Sequence, residues 1–257
     1  EQAPVVAALE RLAAAERPDV LLLSGDITQR ATAAQFAAAR AFVDRLQVPH
    51  CLAVPGNHDI PLFDLPRRLF HPYGRFARAF GDELDPSFEN PAVLVIGVNS
   101  TRRWRHVHGM LSPRQVELVA RRLDAASPRQ WKIVMLHQPL AVLDAAEENN
   151  LVRGHLRAVK VWREAGADIV LGGHIHLPYV KPLVATGSAS RVLWVVQAGT
   201  AVSARVRPEA PNSVNLIRIG DTPPDGLVRR QAVVERWDYR AEDQAFGCVG
   251  RRELRGR

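Results

Sequence analysis

The sequence predicts an α/β sandwich with sheets inside and helices outside, in two or four layers. Three observations carry that expectation. Short apolar runs alternate with amphipathic stretches from residue 4 to residue 172. Four of those runs end in one or more polar groups, most of them reached through glycine: "LLLSGD", "LAVPGNHD", "IVMLH" and "DIVLGGHIH". From residue 192 onward the apolar runs follow one another with no helical stretch between them.

Residues 4–16, "PVVAALERLAAAE", have helical spacing, with Pro4 in the first turn where its missing N–H costs nothing. "VLLLS" (20–24) is short and continuously apolar, as a buried strand requires. The Ala-rich stretch 31–46 places Phe36, Phe42 and Leu46 on a helix face. "CLAVP" (51–55) is the next strand; residues 60–91 are irregular, with a helix expected near 67–80. "AVLVIGV" (92–98) is a strand, and Ser112-Pro113 caps and opens a helix to about residue 124. "WKIVML" (131–136) is a strand, 151–165 a helix and "DIVLG" (168–172) a strand. The strands "VLWVVQAG" (192–199), "SVNLIRIG" (213–220) and "QAVVERWDY" (231–239) follow, with "DTPPDG" (221–226) as a turn. Residues 1–240 read as one domain and 241–257 as a polar, Arg-rich tail of partial order.

At 257 residues and 47% hydrophobic, the chain can bury a substantial core. No run approaches the roughly 18 apolar residues that span a bilayer, and no basic-then-apolar leader is visible. Two cysteines, Cys51 and Cys248, make no disulfide framework and agree with a reducing, cytoplasmic setting. The formal charge is +7, with only three lysines among 34 basic residues, so arginine carries it. Arginines cluster at 67/68, 102/103/105, 229/230 and 251/252. Such a field favours an anionic substrate. Nucleic acid is disfavoured as a partner, because no zinc finger, basic helix or interleaved aromatic pattern accompanies the charge.

The polar groups after the apolar runs are the candidate site, since open α/β sheets place active groups beyond the carboxyl ends of their strands. Asp26, Asn57, His137, His174 and His176 form a set of oxygen and nitrogen donors without a thiolate. That set suits Mn, Fe or Zn. Asp26 has two oxygens with which to bridge two ions, and Asn57 offers a neutral carbonyl. His174 and His176, two apart, would share a side of an extended segment. Two ions about 3.5–4 Å apart clamp a phosphoryl group and turn water into hydroxide. His58, next to a proposed ligand, is left to protonate the leaving oxygen. Asp59 is expected to serve the catalytic site by orienting His58, the alternative being that it caps the local turn.

The combination of "GD" (25–26), "GNHD" (56–59), a strand-ending His137 and "GHIH" (173–176) resembles the calcineurin-like metallophosphoesterase family over about residues 20–200. The resemblance implies a four-layer α-β-β-α sandwich and two divalent or trivalent ions. It implies that Asp26 bridges them, that Asn57, His137 and His174 hold the second ion, that His176 belongs to the first, and that His58 is catalytic. "GVNSTR" with "HGMLSPRQVELVARRL" (97–123) and "HQPL" (137–140) is most similar to the bacterial class III cyclic nucleotide phosphodiesterases. The expected reaction is therefore hydrolysis of a small phosphodiester, such as a cyclic nucleotide, by a metal-bridging hydroxide. The alternatives are a nucleotide-sugar lipid pyrophosphatase, a phosphomonoesterase, or a weak or inactive member that keeps part of the metal site. The last draws on one departure: the family's first Asp-x-His motif, and the strand before it, do not precede Asp26 in this sequence. An earlier start of the true chain, a single ion, or a degenerate relative would each account for it.

Two stretches remain as substrate elements. The loop "STRRWRHVHG" (100–109) lies after strand 92–98, so Asn99, Arg102, Arg103, Trp104 and His108 are expected at the rim, arginine forking onto phosphate and Trp104 stacking. Residues 60–80, with four Phe, a Tyr and four Arg, are expected as a cover, a homodimer contact, or a helix packed by its aromatic side. Thr200 and Ser203 follow another strand end.

Overall fold

The computed structural model describes residues 2–184, 191–220 and 230–256. The turn expected at 221–226 and Arg229 lie outside them. Helix α1 (Ala3–Glu16) leads to strand β1 (Val20–Leu23), helix α2 (Ala33–Arg45) and strand β2 (His50–Ala53), which pairs parallel to β1. Helices α3 (Leu65–Phe70) and α4 (Gly74–Phe80) follow, then β3 (Ser87–Glu89), β4 (Val93–Val98), α5 (Pro113–Ala125) and β5 (Trp131–Leu136). The chain continues through α6 (His155–Glu164), β6 (Ile169–Gly172), β7 (Tyr179–Leu183), β8 (Leu193–Gln197), β9 (Ser213–Ile219), β10 (Gln231–Arg240) and β11 (Ala245–Arg255).

The largest sheet has the order β3-β4-β5-β6-β8-β7, with β4, β5, β6 and β8 parallel and both edge strands antiparallel. Its strands are apolar on both faces because both are covered. Leu94, Ile96, Val134, Leu136 and Val170 on one face pack with Val116, Leu123 and Trp162 of α5 and α6. On the other face, Val95, Ile133, Met135 and Leu171 meet Leu52 of β2 and Ala232, Val234 and Leu254 of β10 and β11. The outer side of that second strand layer is covered by α1, whose Val5, Ala8 and Leu12 sit with Trp237 and Phe246, and by α2, whose Phe36 meets Leu23, Ala53 and Phe76. The result is the expected four-layer α-β-β-α sandwich. Among the described residues its second strand layer is in two pieces, β1-β2 and β9-β10-β11.

Several elements differ from the expectation. The helix near 67–80 is two helices, broken at His71-Pro72: proline disfavours helical geometry in the residue before it and contributes no N–H. β3 is three residues long, and β7 contains Pro182, tolerated because β7 is an edge strand. The segment expected as a partly ordered tail is instead strand β11, hydrogen-bonded along β10 from Ala245 to Arg255. Its Phe246 and Leu254 are buried while its arginines face water, the pattern of a charged edge. Among the described residues, no helix is long and apolar enough to cross a membrane.

Candidate metal centre

The carboxyl ends of β1, β2, β5 and β6 converge, and the polar residues beyond them meet. Gly25 (φ 90) and Asp26 (φ 51) both take left-handed backbone, which turns the chain sharply out of β1. Gly56 passes against that turn so closely that a Cβ there would overlap the Asp26 backbone nitrogen and carboxylate. Asn57, His58 and Asp59 then form one turn of 3₁₀ helix. His174 (φ 73) and His176 (φ 58) are also left-handed, so "GHIH" is a tight turn and not the extended segment expected. Such backbone is costly for residues bearing a Cβ and clusters at functional sites.

His137 is at the floor, with no solvent exposure. Its Nδ1 lies 2.8 Å from the Ser24 carbonyl, which only accepts, so Nδ1 carries the proton and Nε2 is left with its lone pair. Around that Nε2 stand Asn57 Oδ1 at 3.0 Å, His174 Nδ1 at 3.2 Å and Asp26 Oδ1 at 3.3 Å. Asp26, His137 and His174 offer ligand atoms within 4.8 Å of one another. Electron-pair donors crowd together here with at most a proton to share, an arrangement that a cation satisfies. The residues therefore fit a hard or borderline metal ion. His176 lines the same cavity, its Nδ1 2.9 Å from the Arg205 carbonyl, and it is not one of the three residues whose ligand atoms cluster.

The electrostatics agree. Burial pushes the Asp26 carboxyl up, but the neighbouring His137 and the His58 N–H, donated at 2.9 Å, outweigh it and hold the group well below the usual carboxylate range. Burial likewise works against a charge on His137, yet Asp26 and the Ser24 carbonyl raise its pKa. His174 is lowered to about 3, by burial first and then by His137, which keeps its ring neutral and able to ligate.

Asp59 does not hold the His58 ring as expected but takes the alternative, capping role. Its buried carboxylate accepts the N–H groups of Gly56 (2.9 Å), Ile27 (3.1 Å) and Thr28 (2.8 Å) and the Thr28 hydroxyl (2.9 Å), locking the Asp26 turn to the Asn57 turn. Burial, then the Asp26 charge, pushes it up to about 6. The His58 ring is placed by Gln29 instead, its Nδ1 lying 3.2 Å from the Gln29 carbonyl.

Asp26, Asn57, His58, His174 and His176 line a cavity of about 420 Å³. Elsewhere on its wall, His106 and Val107 belong to the loop expected at the rim, whereas Glu147, Asn150, Arg205 and Arg207 were not expected. The expected rim residues are elsewhere. Asn99 turns its amide back onto the Thr101 N–H and hydroxyl. Arg102 donates to the Asn99 and Thr101 carbonyls and to Gln115. Arg103 reaches the Leu69 carbonyl and lies over the exposed Trp104 ring at 5.2 Å. His108 is held 3.1 Å from the Asn149 carbonyl. These side chains serve backbone groups that a long loop would otherwise leave unpaired, and His106 and Val107 take their place at the cavity. Thr200 and Ser203 hold the backbone of Arg205. A signal for Arg205 and Arg207 existed, since they follow the carboxyl end of β8; nothing in the sequence singles out Glu147 or Asn150.

Comparison with known proteins agrees with this geometry. Residues 2–178 match the family model described as calcineurin-like phosphoesterase. A probable cyclic nucleotide phosphodiesterase of Synechococcus sp. is 28% identical over 167 residues, 64% of this chain and 60% of that protein. A probable glycerophosphodiester phosphodiesterase of Arcobacter nitrofigilis is 24% identical over 62% of this chain and 57% of that protein. A probable cyclic nucleotide phosphodiesterase of Rhodococcus erythropolis is 23% identical over 64% of this chain and 54% of that protein. This chain thus spans between 54% and 60% of the length of these curated relatives. The crystal structure of a dimetal phosphatase from Danio rerio shares the fold, with a TM-score of 0.63 and 14% identity over 98% of this chain and 89% of that one.

Proposed function

Because the chain belongs to the calcineurin-like phosphoesterase family, we propose that it is a metal-dependent phosphohydrolase working at a partial centre: one ion held by Asp26, Asn57, His137 and His174. The single observation that carries this reading is the convergence of Asn57 Oδ1, His174 Nδ1 and Asp26 Oδ1 on the lone pair of His137 Nε2, all within 3.3 Å. A divalent ion bound there supplies Lewis-acid charge for a phosphoryl oxygen. The chain's own residues do the rest. His58 faces the cavity with its Nδ1 anchored on the Gln29 carbonyl, so a protonated ring has its Nε2 proton free to give to the leaving oxygen. Arg205 and Arg207 supply positive charge on the cavity wall, each held in place, Arg205 by Gln29 and Arg207 by Glu147. The described residues hold one such donor cluster, and the single ion proposed is the one that this cluster fits.

A second reading, diester hydrolysis, has one specific support: all three relatives carry phosphodiesterase names. Metal content measured by mass spectrometry alongside turnover of p-nitrophenyl phosphate and its bis ester separates the readings. One ion per chain with slow monoester turnover supports the first; two ions per chain with preference for the diester replaces it by the second. In the same assay His58→Ala is expected to keep its metal and to lose on the order of 10²–10⁴-fold in turnover. Unchanged turnover would remove His58 from the chemistry.

A further inference from the structure

Beside the metal-site cavity lies a second cavity of about 390 Å³, and the two share Asn57, His58 and His106. The His58 and His106 rings meet edge to face, centroids 6.0 Å apart, so a pair of imidazoles forms the common wall. Beyond them the second cavity is lined by Ile60, Pro61, Leu62 and Phe63. Ile60 is fully packed, whereas Phe63 is 86% exposed. At the polar rim, Arg75 donates to the Ala31 carbonyl at 2.8 Å and pairs with Asp64 at 3.5 Å, while Asp64 also accepts from Arg67. Gln29, Arg30 and Thr32 complete the lining.

We propose that this second cavity seats an apolar substituent, aryl or alkyl, of the phosphorus compound whose phosphoryl group sits over Asp26, Asn57 and His174. The inference rests on the phosphohydrolase reading and adds its substrate class. The physical reason is direct. With His58 placed to give its proton to the leaving oxygen, the substituent on that oxygen lies beside His58, where the second cavity opens with its apolar wall. A ligand ring or chain there removes Phe63 from water, and the gain scales with the apolar area covered. Asp64 and Arg75, already paired with one another, offer little to a charged substituent.

The test uses the whole chain loaded with Mn²⁺ and three non-hydrolysable probes: methylphosphonate, phenylphosphonate and octylphosphonate. Phenylphosphonate or octylphosphonate should bind about tenfold more tightly than methylphosphonate, the size of effect that burying part of one ring or chain produces. The two arms identify the substituent as flat or chain-like. Phe63→Ser should abolish most of that preference without changing the methylphosphonate Kd, and Phe63→Leu should restore it for the chain; at an exposed position neither change threatens the fold. Equal binding of all three probes, no binding of any, or an undiminished preference in Phe63→Ser would overturn the subsite. Preference in binding with no ester hydrolysed would leave the subsite standing and remove the hydrolase reading instead.

Discussion

Gly56 shows how little freedom the centre leaves a single residue. A Cβ there would collide with the backbone and carboxylate of Asp26, and neither can retreat, because Asp59 clamps both turns. Gly56→Ala is therefore expected to displace Asp26 and cut metal uptake at least tenfold in a titration with Mn²⁺, while leaving the fold intact by circular dichroism. Normal uptake would show that Asp26 is not fixed through Gly56. His174 predicts a pH response in protein stripped of metal. In the unfolded chain its ring takes up a proton near 6.5; in the native site, burial and His137 delay that to about 3. The unfolded state thus binds more protons between those values, and stability falls as pH drops through that window. His174→Gln should flatten that slope in urea melts at pH 7, 5 and 4. An unchanged slope would mean that His174 is not held neutral.

Helices and strands matter here as supports for loops. α2 has no side chain in the centre, yet Phe36 packs edge to face on Phe76 (6.2 Å between centroids) and with Leu23 and Ala53, holding the backs of β1 and β2 from which Asp26 and Asn57 project. Truncating a fully buried Phe costs about 3–5 kcal/mol. Phe36→Ala should destabilise the protein by that amount in chemical denaturation and loosen metal affinity in the folded fraction. Full retention of affinity would uncouple α2 from the site. The same logic explains which elements the sequence made legible. β4, β5 and β6 are read directly because a doubly covered strand must be apolar throughout. β7 and β11 were missed, because edge strands tolerate Pro182 and a row of arginines that look like loop or tail.

Over the whole molecule, one buried ionic knot ties the two strand layers together. Asp168, ahead of β6, accepts from the Lys132 backbone at 2.9 Å and from Arg230, at the entrance to β10, at 2.9 and 3.1 Å. Arg191 adds a contact at 3.1 Å, and Arg230 lies 5.3 Å from the Trp131 ring centroid. Removing one partner leaves the other charge buried, a loss of about 3–5 kcal/mol. Asp168→Ala should lower stability by that much without touching the metal centre, so that metal stoichiometry per folded chain stays at the wild-type value. A loss under about 1 kcal/mol would show that the knot fixes geometry more than stability.

By itself the sequence determined the alternation of buried strands with covering helices and the cluster of candidate metal donors. Continuous apolar runs demand cover on both faces, and the side chains of Asp26, Asn57, His137 and His174 sit one to a few residues past strand ends, so chain connectivity alone delivers them to a common rim. Only the tertiary structure decided which parts of the long loops face the cavity. Whether Arg102 or Arg205 points at a ligand depends on which distant carbonyls or amides need a donor, Asn99 and Thr101 in one case and Gln29 in the other. Those partners are set by packing between segments far apart in the chain, and no local pattern encodes them.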